Sequence, residues 1–278
     1  ATNLNAVDAT YIQATISETT AANLASITVN NSTRSSLNKF SVVVSDTSAT
    51  AAELNAVSAI TSVAADFSNI TAIEASPSSA VTTLYTGSAT GLSNEAISVN
   101  DTTLNAATLN AINGYTSGTV TITATSLEGN AADILEAVTN TGTGVAAAGL
   151  KIPVTVTDTG AIDAAVLNAI VDIVDGYTPS KVTTVSSNAT TLTGTAAEVT
   201  EVYADELATH ITGVDTLAVT LEDNAGNTAA AVGGIQANTS GVVTATVVTT
   251  ALNDLTNTTT GLVAGNDALT ITVADNAL

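Results

Sequence analysis

Thr157-Asp158-Thr159-Gly160-Ala161-Ile162-Asp163-Ala164-Ala165-Val166-Leu167-Asn168-Ala169-Ile170 decides how the rest of the chain reads. A β-branched run closes in Asp158, a small polar stretch follows, and an Ala-rich segment ends in Leu-Asn-Ala-Ile. The same ending, with Ile or Val last, stands at residues 4–7, 54–57 and 109–112, and in degenerate form at 232–235. Self-similarity of this kind marks repeat architectures, in which each unit buries its apolar face only against its neighbours. Ile162, Val166, Leu167 and Ile170 recur at three- and four-residue spacing, the period of one helix face. The Asp or Thr ahead of them is a natural N-cap, able to satisfy the free amides of a first helical turn.

Working outward, five strand-like runs end in Asp46, Asp101, Asp158, Asp223 and Asp275, at spacings of 55, 57, 65 and 52 residues. The chain therefore divides into five modules: 1–46, 47–101, 102–158, 159–223 and 224–278. Each module reads as an Ala-rich helix, a strand, a second Ala-rich helix and the Asp-ended strand. The middle strands fall at 11–17, 70–75, 120–125, 181–186 and 242–247, where β-branched residues alternate. The second helices fall at 19–24, 78–81, 129–134, 194–199 and 249–255. Regular strand–helix alternation predicts parallel strands, because the helix supplies the crossover. At this short period the expected fold is an α/β tandem-repeat solenoid of short parallel strands and short Ala-rich helices, about five modules of 52–65 residues. Independent α/β modules of this size are the alternative; they would be marginal alone, and no Pro/Ser/Gly linker separates the copies.

The composition fits thin layers rather than a thick core. Charged residues make up 10% of the 278 residues, against roughly 25% in typical domains. Aromatics are 3%, with no Trp, Met or Cys. Arg34, Lys39, Lys151 and Lys181 stand against 25 acids, for a net charge of -21. Nucleic acid needs phosphate-neutralising cations, so it is not an expected partner; an anionic membrane surface is disfavoured for the same reason. Apolar runs are short and broken by Thr, Asn and Asp, which predicts no membrane insertion. The lack of Cys removes thiolate chemistry and disulfides, and with the four tryptic sites it suits a secreted bacterial surface protein. A start at Ala1 with no Met anywhere reads as a processed form or a fragment.

Candidate chemistry is sparse. His210 is the only histidine, so a zinc site is not expected and a Ser/His/Asp triad would have to be built around it. The acids Glu198, Glu201, Asp205 and Glu206 cluster, and Glu198 and Glu201, three residues apart on a helix, read as a solvated face. The calcium candidates are Asp223, Asn227 and Asp267, whose loops match neither the EF-hand nor the Gly-rich nonapeptide. The Asp46-to-Asp275 ladder reads more simply as helix capping. No cofactor or catalytic set is expected, and the chain reads as a non-enzyme.

The segments 191–199, 101–112 and 116–120 resemble the Ala/Thr-rich tandem repeats of very large cyanobacterial cell-surface and hemolysin-type secreted proteins. The resemblance covers nearly the whole chain, best between 95 and 225. It implies an extracellular, cell-surface protein with a surface-layer, fibre or adhesin role, sometimes beside calcium-binding repeats. The expected function is a filament, surface layer or stalk built by repeat stacking and head-to-tail assembly of identical copies. The alternative is an adhesin or virion appendage presenting a Thr/Ser-rich β-face to a glycan or receptor. Joining residue 278 to residue 1 nearly restores the internal Asp-to-Leu spacing. The expected assembly interface is therefore Leu4 and Val7 on one copy against Ile271, Val273, Asp275 and Leu278 on the next.

Overall fold

Runs such as Leu217-Ala218-Val219-Thr220-Leu221 alternate large apolar with small residues, so each favours a short strand with one buried face. The structure, a computed structural model, describes residues 13–27, 39–140, 152–175, 185–207, 209–223, 226–249, 252–256, 261–263, 265 and 267–273. The fold is α/β, with four parallel sheets, none closed. It forms two compact units, residues 1–125 with 140–148, and residues 126–139 with 149–278.

In the first unit the order is β1 (Gln13–Thr19), α1 (Ala21–Ala25), β2 (Lys39–Val44), β3 (Ser48–Thr50), α2 (Ala51–Ala59), β4 (Ala72–Ser76), α3 (Ser78–Thr86), β5 (Ala96–Val99), β6 (Thr103–Asn105), α4 (Ala106–Tyr115) and β7 (Val120–Ile122). β1 pairs with β2, and β3, β4, β5 and β7 form a sheet in that order. Ser48 lies opposite Ala72, Ala72 opposite Ala96, and Ile97 opposite Val120. The helices stack in the same sequence, α1 on α2, α2 on α3 and α3 on α4.

The second unit runs β8 (Ser126–Gly129), α5 (Ala131–Thr139), β9 (Val154–Val156), β10 (Ala161–Asp163), α6 (Ala164–Asp175), β11 (Val185–Ser187), β12 (Thr191–Gly194), α7 (Ala196–Leu207), β13 (Ile211–Thr212), β14 (Ala218–Leu221), α8 (Ala229–Gln236), β15 (Val243–Thr249), α9 (Leu252–Leu255) and β16 (Ala268–Val273). Here β8, β9, β11 and β13 pair in order, as do β10, β12, β14, β15 and β16. Helices α5, α6, α7 and α8 pack successively on one another.

The recurring signature explains how the layers meet. Ala51, Leu54 and Val57 of α2 are fully buried, as are Ala106, Leu109 and Ile112 of α4 and Ala164, Leu167 and Ile170 of α6. In the degenerate copy Ala229, Val232 and Ile235 of α8 take these places. The opening Ala lets the helix start close to the sheet, and Leu and Ile fill the layer behind it. Copy 4–7 lies outside the described residues.

The Asn of the signature serves the neighbouring helix. Asn55 Nδ2 donates to the Ala80 carbonyl of α3 at 2.8 Å, 25 residues on. Asn168 Nδ2 reaches α7 in the same way, donating to the Glu198 carbonyl and to Glu201 Oε2, each at 3.0 Å. α2 is thus tied to α3, and α6 to α7, by an amide that donates to a carbonyl in the next helix's first turn.

Capping is double. Locally, Thr20, Thr50, Asn105, Asn130, Thr195 and Thr228 each accept the N–H of the residue three positions on. Thr50 with Glu53, and Thr195 with Glu198, form complete capping boxes. The first helical amide is taken from elsewhere. Ala21 N donates to Asp46 Oδ2 at 2.6 Å, Ser78 N to Asp101 Oδ2 at 2.6 Å, and Ala131 N to Asp158 Oδ2 at 2.8 Å. At α2 the acceptor is Ser76 Oγ, 2.9 Å from Ala51 N. The capping role expected of the Asp ladder holds at these three Asp residues, but each caps the helix 23–27 residues before it in sequence rather than the one that follows.

The outward threonines have a comparable use. Thr71, Thr90, Thr121, Thr123 and Thr193 donate from their hydroxyls to carbonyls 24, 25, 24, 24 and 31 residues earlier, on the neighbouring strand or bridge. At corners, Thr61, Thr116 and Thr239 donate to the Phe40, Glu95 and Leu217 carbonyls at 2.7 Å. The same hydroxyls accept the amide two residues on, at Val63, Gly118 and Gly241. Gly118 is required at its corner: a Cβ there would stand 2.2 Å from the Glu95 carbonyl oxygen.

Helices stand at all nine of the expected sites that fall within the described residues, and strands at all ten. The short strands β3, β6, β8, β10, β12 and β13 were not expected: those residues read as polar linkers or helix starts. Ile162, expected on the helix face, lies instead in β10, and α6 starts at Ala164. A strand of three or four residues shows one inward apolar side chain, such as Leu104 or Ile162, and that is too little for a period to appear.

Candidate functional site

The last described strand offers the one feature expected to act outside the chain. β15 alternates buried Val243, Ala245, Val247 and Thr249 with outward Thr and Val. β16 pairs with it over six positions, from Thr244 opposite Ala268 to Thr249 opposite Val273. Parity therefore places Leu269, Ile271 and Val273 on the core side. Val247 is fully buried, yet Ile271 opposite it is 45% exposed. Among the described residues no strand pairs with the far edge of β16. Its backbone N–H and C=O groups there are a template for further parallel pairing. Natural edges are usually blunted by charge or Pro; the sequence Ala268-Leu269-Thr270-Ile271-Thr272-Val273 has neither.

Of the expected interface residues, Ile271 and Val273 share one face of β16. Leu4, Val7, Asp275 and Leu278 lie outside the described residues.

The calcium candidates take separate roles. Asp223 is exposed after β14. Asn227 is buried, donates from Nδ2 to the Glu222 carbonyl at 2.7 Å, and accepts Val248 N on its own carbonyl at 2.9 Å. Asp267 accepts Val243 N on Oδ1 at 2.7 Å and Gln236 Nε2 on Oδ2. Gln236 Oε1 in turn accepts Val263 N at 3.0 Å. This clamp joins the end of α8 to the residues before β15 and β16, beside a cleft of about 260 Å³ lined by Thr239, Ser240, Gly241 and Val242. Among the described residues, no group of three or more His, Cys, Asp or Glu is placed to hold a metal ion.

The clustered acids are individually engaged. Glu198 closes its capping box, and those hydrogen bonds, the backbone amide of Thr195 first, hold its carboxyl below the usual range. Glu201 accepts Asn168. Glu206 Oε1 accepts Asp215 N at 3.2 Å; burial first, then the Asp215 charge, push its pKa up. His210 Nδ1 stands 3.5 Å from Asp205 Oδ1, and its backbone bridges the Asp205 carbonyl and Val185 N.

One cluster gave no sign in the sequence. Glu95 is completely buried, accepting Tyr85 Oη on Oε2 at 2.8 Å and Ser93 N on Oε1 at 2.9 Å. Tyr85 stacks on Tyr115 with centroids 5.1 Å apart. Burial first, then Glu95, raise the Tyr85 phenol far above its ordinary value. The cluster is closed by hydrogen bonds and ring packing, so it joins α3 to α4 rather than presenting a reactive group. The paired Tyr at 85 and 115 was its only available trace, and a two-residue trace specifies no partner.

Neither a family model, nor a curated protein, nor a solved structure matches this chain.

Proposed function

We propose that the chain is a tandem-repeat solenoid, each turn made of strand, corner, strand and helix, with two turns in each of the five modules. We further propose that it is a non-enzymatic extracellular subunit of a filament, surface layer or stalk, built by head-to-tail stacking of identical copies. The near-constant offset of the linking bonds supports the first part: Asn, Thr, Ser and Asp side chains reach across 23–27 residues at many points of the chain. The observation that carries the second part is the uncharged edge of β16, which no strand pairs among the described residues, with Ile271 45% exposed. Sealing Ile271 recovers roughly half of a full isoleucine burial, about 1 kcal/mol, and each further rung adds its own side chains and hydrogen bonds. A parallel ladder has two unlike edges, so the contact is heterologous and the assembly open. The resemblance to cell-surface repeats adds the location. The adhesin reading gains less support, since many outward hydroxyls already donate to neighbouring strands.

Sedimentation velocity and electron microscopy of the purified chain test this. Species should grow with concentration into rods or fibres, and Ile271→Asp should abolish that growth while leaving the far-ultraviolet spectrum intact. Monodisperse monomer across a wide concentration range, with fully folded protein, would sink the assembly reading.

A further inference from the structure

We propose that β16 pairs in parallel with β1 of a second copy, with Ile271 beside Ile16 and Thr270 beside Thr15. This rests on the assembly reading above and names its contact. β1 is also an edge strand: among the described residues it pairs only with β2, with Thr15 opposite Ser41 and Ile16 opposite Val42. Its core-side residues repeat the state seen on β16. Val42 is 1% exposed, whereas Ile16 opposite it is half-buried. Among the described residues two apolar columns therefore end unsealed, one at Ile271 and one at Ile16. Bringing them together gives the row Val247, Ile271, Ile16, Val42, every member β-branched.

Side-chain parity allows only registers that keep Leu269, Ile271 and Val273 beside Ala14 and Ile16, because a one-residue slip would turn each strand's apolar set outward. Between the two nearest choices, size decides. With Ile271 beside Ile16, the more exposed isoleucine meets a side chain of equal reach, and Leu269 lies over the small Ala14. A slip of two leaves Ile271 over Ala14 and the column half-filled. The favoured register also continues the outward hydroxyl row as Thr246, Thr270, Thr15, Ser41. β1 and β15 have the same length, seven residues, and each leads into a helix within three residues. A strand stacked on β16 is thus met by one of the same place in the repeat.

Cysteine cross-linking tests the register cleanly, since the chain has no native cysteine. Neighbouring strands lie about 4.8 Å apart, within disulfide reach. The exposed outward positions are used: Thr15→Cys with Thr270→Cys in one chain, and Thr15→Cys with Thr272→Cys as the slipped control. Folding of each variant is checked by circular dichroism, and assembly by sedimentation of the reduced protein. Under mild oxidation the first variant should give a covalent ladder on a denaturing gel, at least tenfold stronger than the control. Each single-cysteine variant should stay monomeric on that gel, because a head-to-tail contact never places identical residues together. If the reduced protein assembles but the control cross-links as well or better, or neither cross-links, the register is overturned while assembly stands. If the reduced, folded protein remains monomeric, both readings fall.

Discussion

Removing the carboxylate of Asp101 isolates the capping that runs between segments distant in sequence. Helix α3 is the place to do it, because its N-cap is Pro77, which makes no side-chain hydrogen bond. Asp101 Oδ2, 2.6 Å from Ser78 N, is the acceptor from a distant segment that serves this end. A hydrogen bond to a charged group contributes about 1.5–3 kcal/mol, and a carboxylate at a helix N-terminus adds about 0.3–1 kcal/mol when exposed. Asp101 is half-buried, which places Asp101→Ala at a cost of about 2 kcal/mol. Asp101→Asn keeps an acceptor and loses the charge, so about half that cost is expected. Ser76→Ala, the matching change at α2, removes a neutral acceptor and leaves the Thr50–Glu53 box in place; about 1 kcal/mol is expected. Native-state hydrogen exchange reads the effect where it arises: the Ser78 amide should exchange about 30-fold faster in Asp101→Ala. Urea unfolding followed by circular dichroism gives the global value. Unchanged protection of Ser78, or a loss below about 0.3 kcal/mol, would show that the contact stabilises nothing.

Other perturbations separate the remaining contacts. Gly118→Ala forces a Cβ to 2.2 Å from the Glu95 carbonyl and should cost about 1–3 kcal/mol by thermal or urea unfolding. Gly114→Ala, in α4 with open space around the new methyl, should instead stabilise by about 0.5–1 kcal/mol; equal effects at the two glycines would refute the close approach. Tyr85→Phe strips buried Glu95 of its phenol donor and should cost about 1–3 kcal/mol, whereas Tyr115→Phe should cost far less. Glu206 has its pKa raised, so the folded chain holds that proton more tightly than the unfolded chain. Its contribution is fully favourable below the unfolded value near 4.5 and is lost as pH climbs through the raised folded value. Glu206→Gln should therefore be more stable than the parent at pH 7 and indistinguishable at pH 3 in melts across that range. Glu53 runs the other way: Thr50 holds its pKa down, so Glu53→Gln should lose stability at pH 7 and match the parent only below the depressed value.

What the sequence made legible follows from length and period. Helices α2, α4 and α6 repeat a six- to nine-residue pattern, long enough for Ala, Leu and Ile or Val to declare a face. The Asp-ended strands show three or four alternating positions, enough for a period of two. β6 and β10 show one inward residue each, Leu104 and Ile162, and one residue has no period. The caps divide in the same way. Thr50-Ala51-Ala52-Glu53 can be read from spacing because both members of the box lie in one turn. Asp101 looks equally like a cap in sequence, but its target, Ser78, lies 23 residues back and becomes a neighbour only once the strands are in register. The Asn168-to-Glu198 bond and the Tyr85–Tyr115 stack were hidden for that reason: each depends on the layer offset rather than on anything nearby in the chain.

In the proposed solenoid that offset gives the stack a direction. Asp46, Ser76, Asp101 and Asp158 all act backwards, each satisfying the first amide of an earlier helix. Asn55 and Asn168 act forwards, donating to a later helix. A coil placed in the middle of such a stack receives both kinds of bond. The last coil of any stack lacks the backward cap for its helix and the forward acceptor for its Asn, and its strand edge is bare. The first coil lacks different partners. The two ends therefore miss complementary groups, and what satisfies one end is a segment with the chemistry of the other. With aromatics at 3% and small aliphatic side chains forming the core, apolar burial per coil is modest, so these directional polar bonds carry an unusual share of the coil-to-coil attachment. A chain built this way gains more from one further coil of its own kind than from an unrelated surface, which is the physical reason to look for its partner in a second copy of itself.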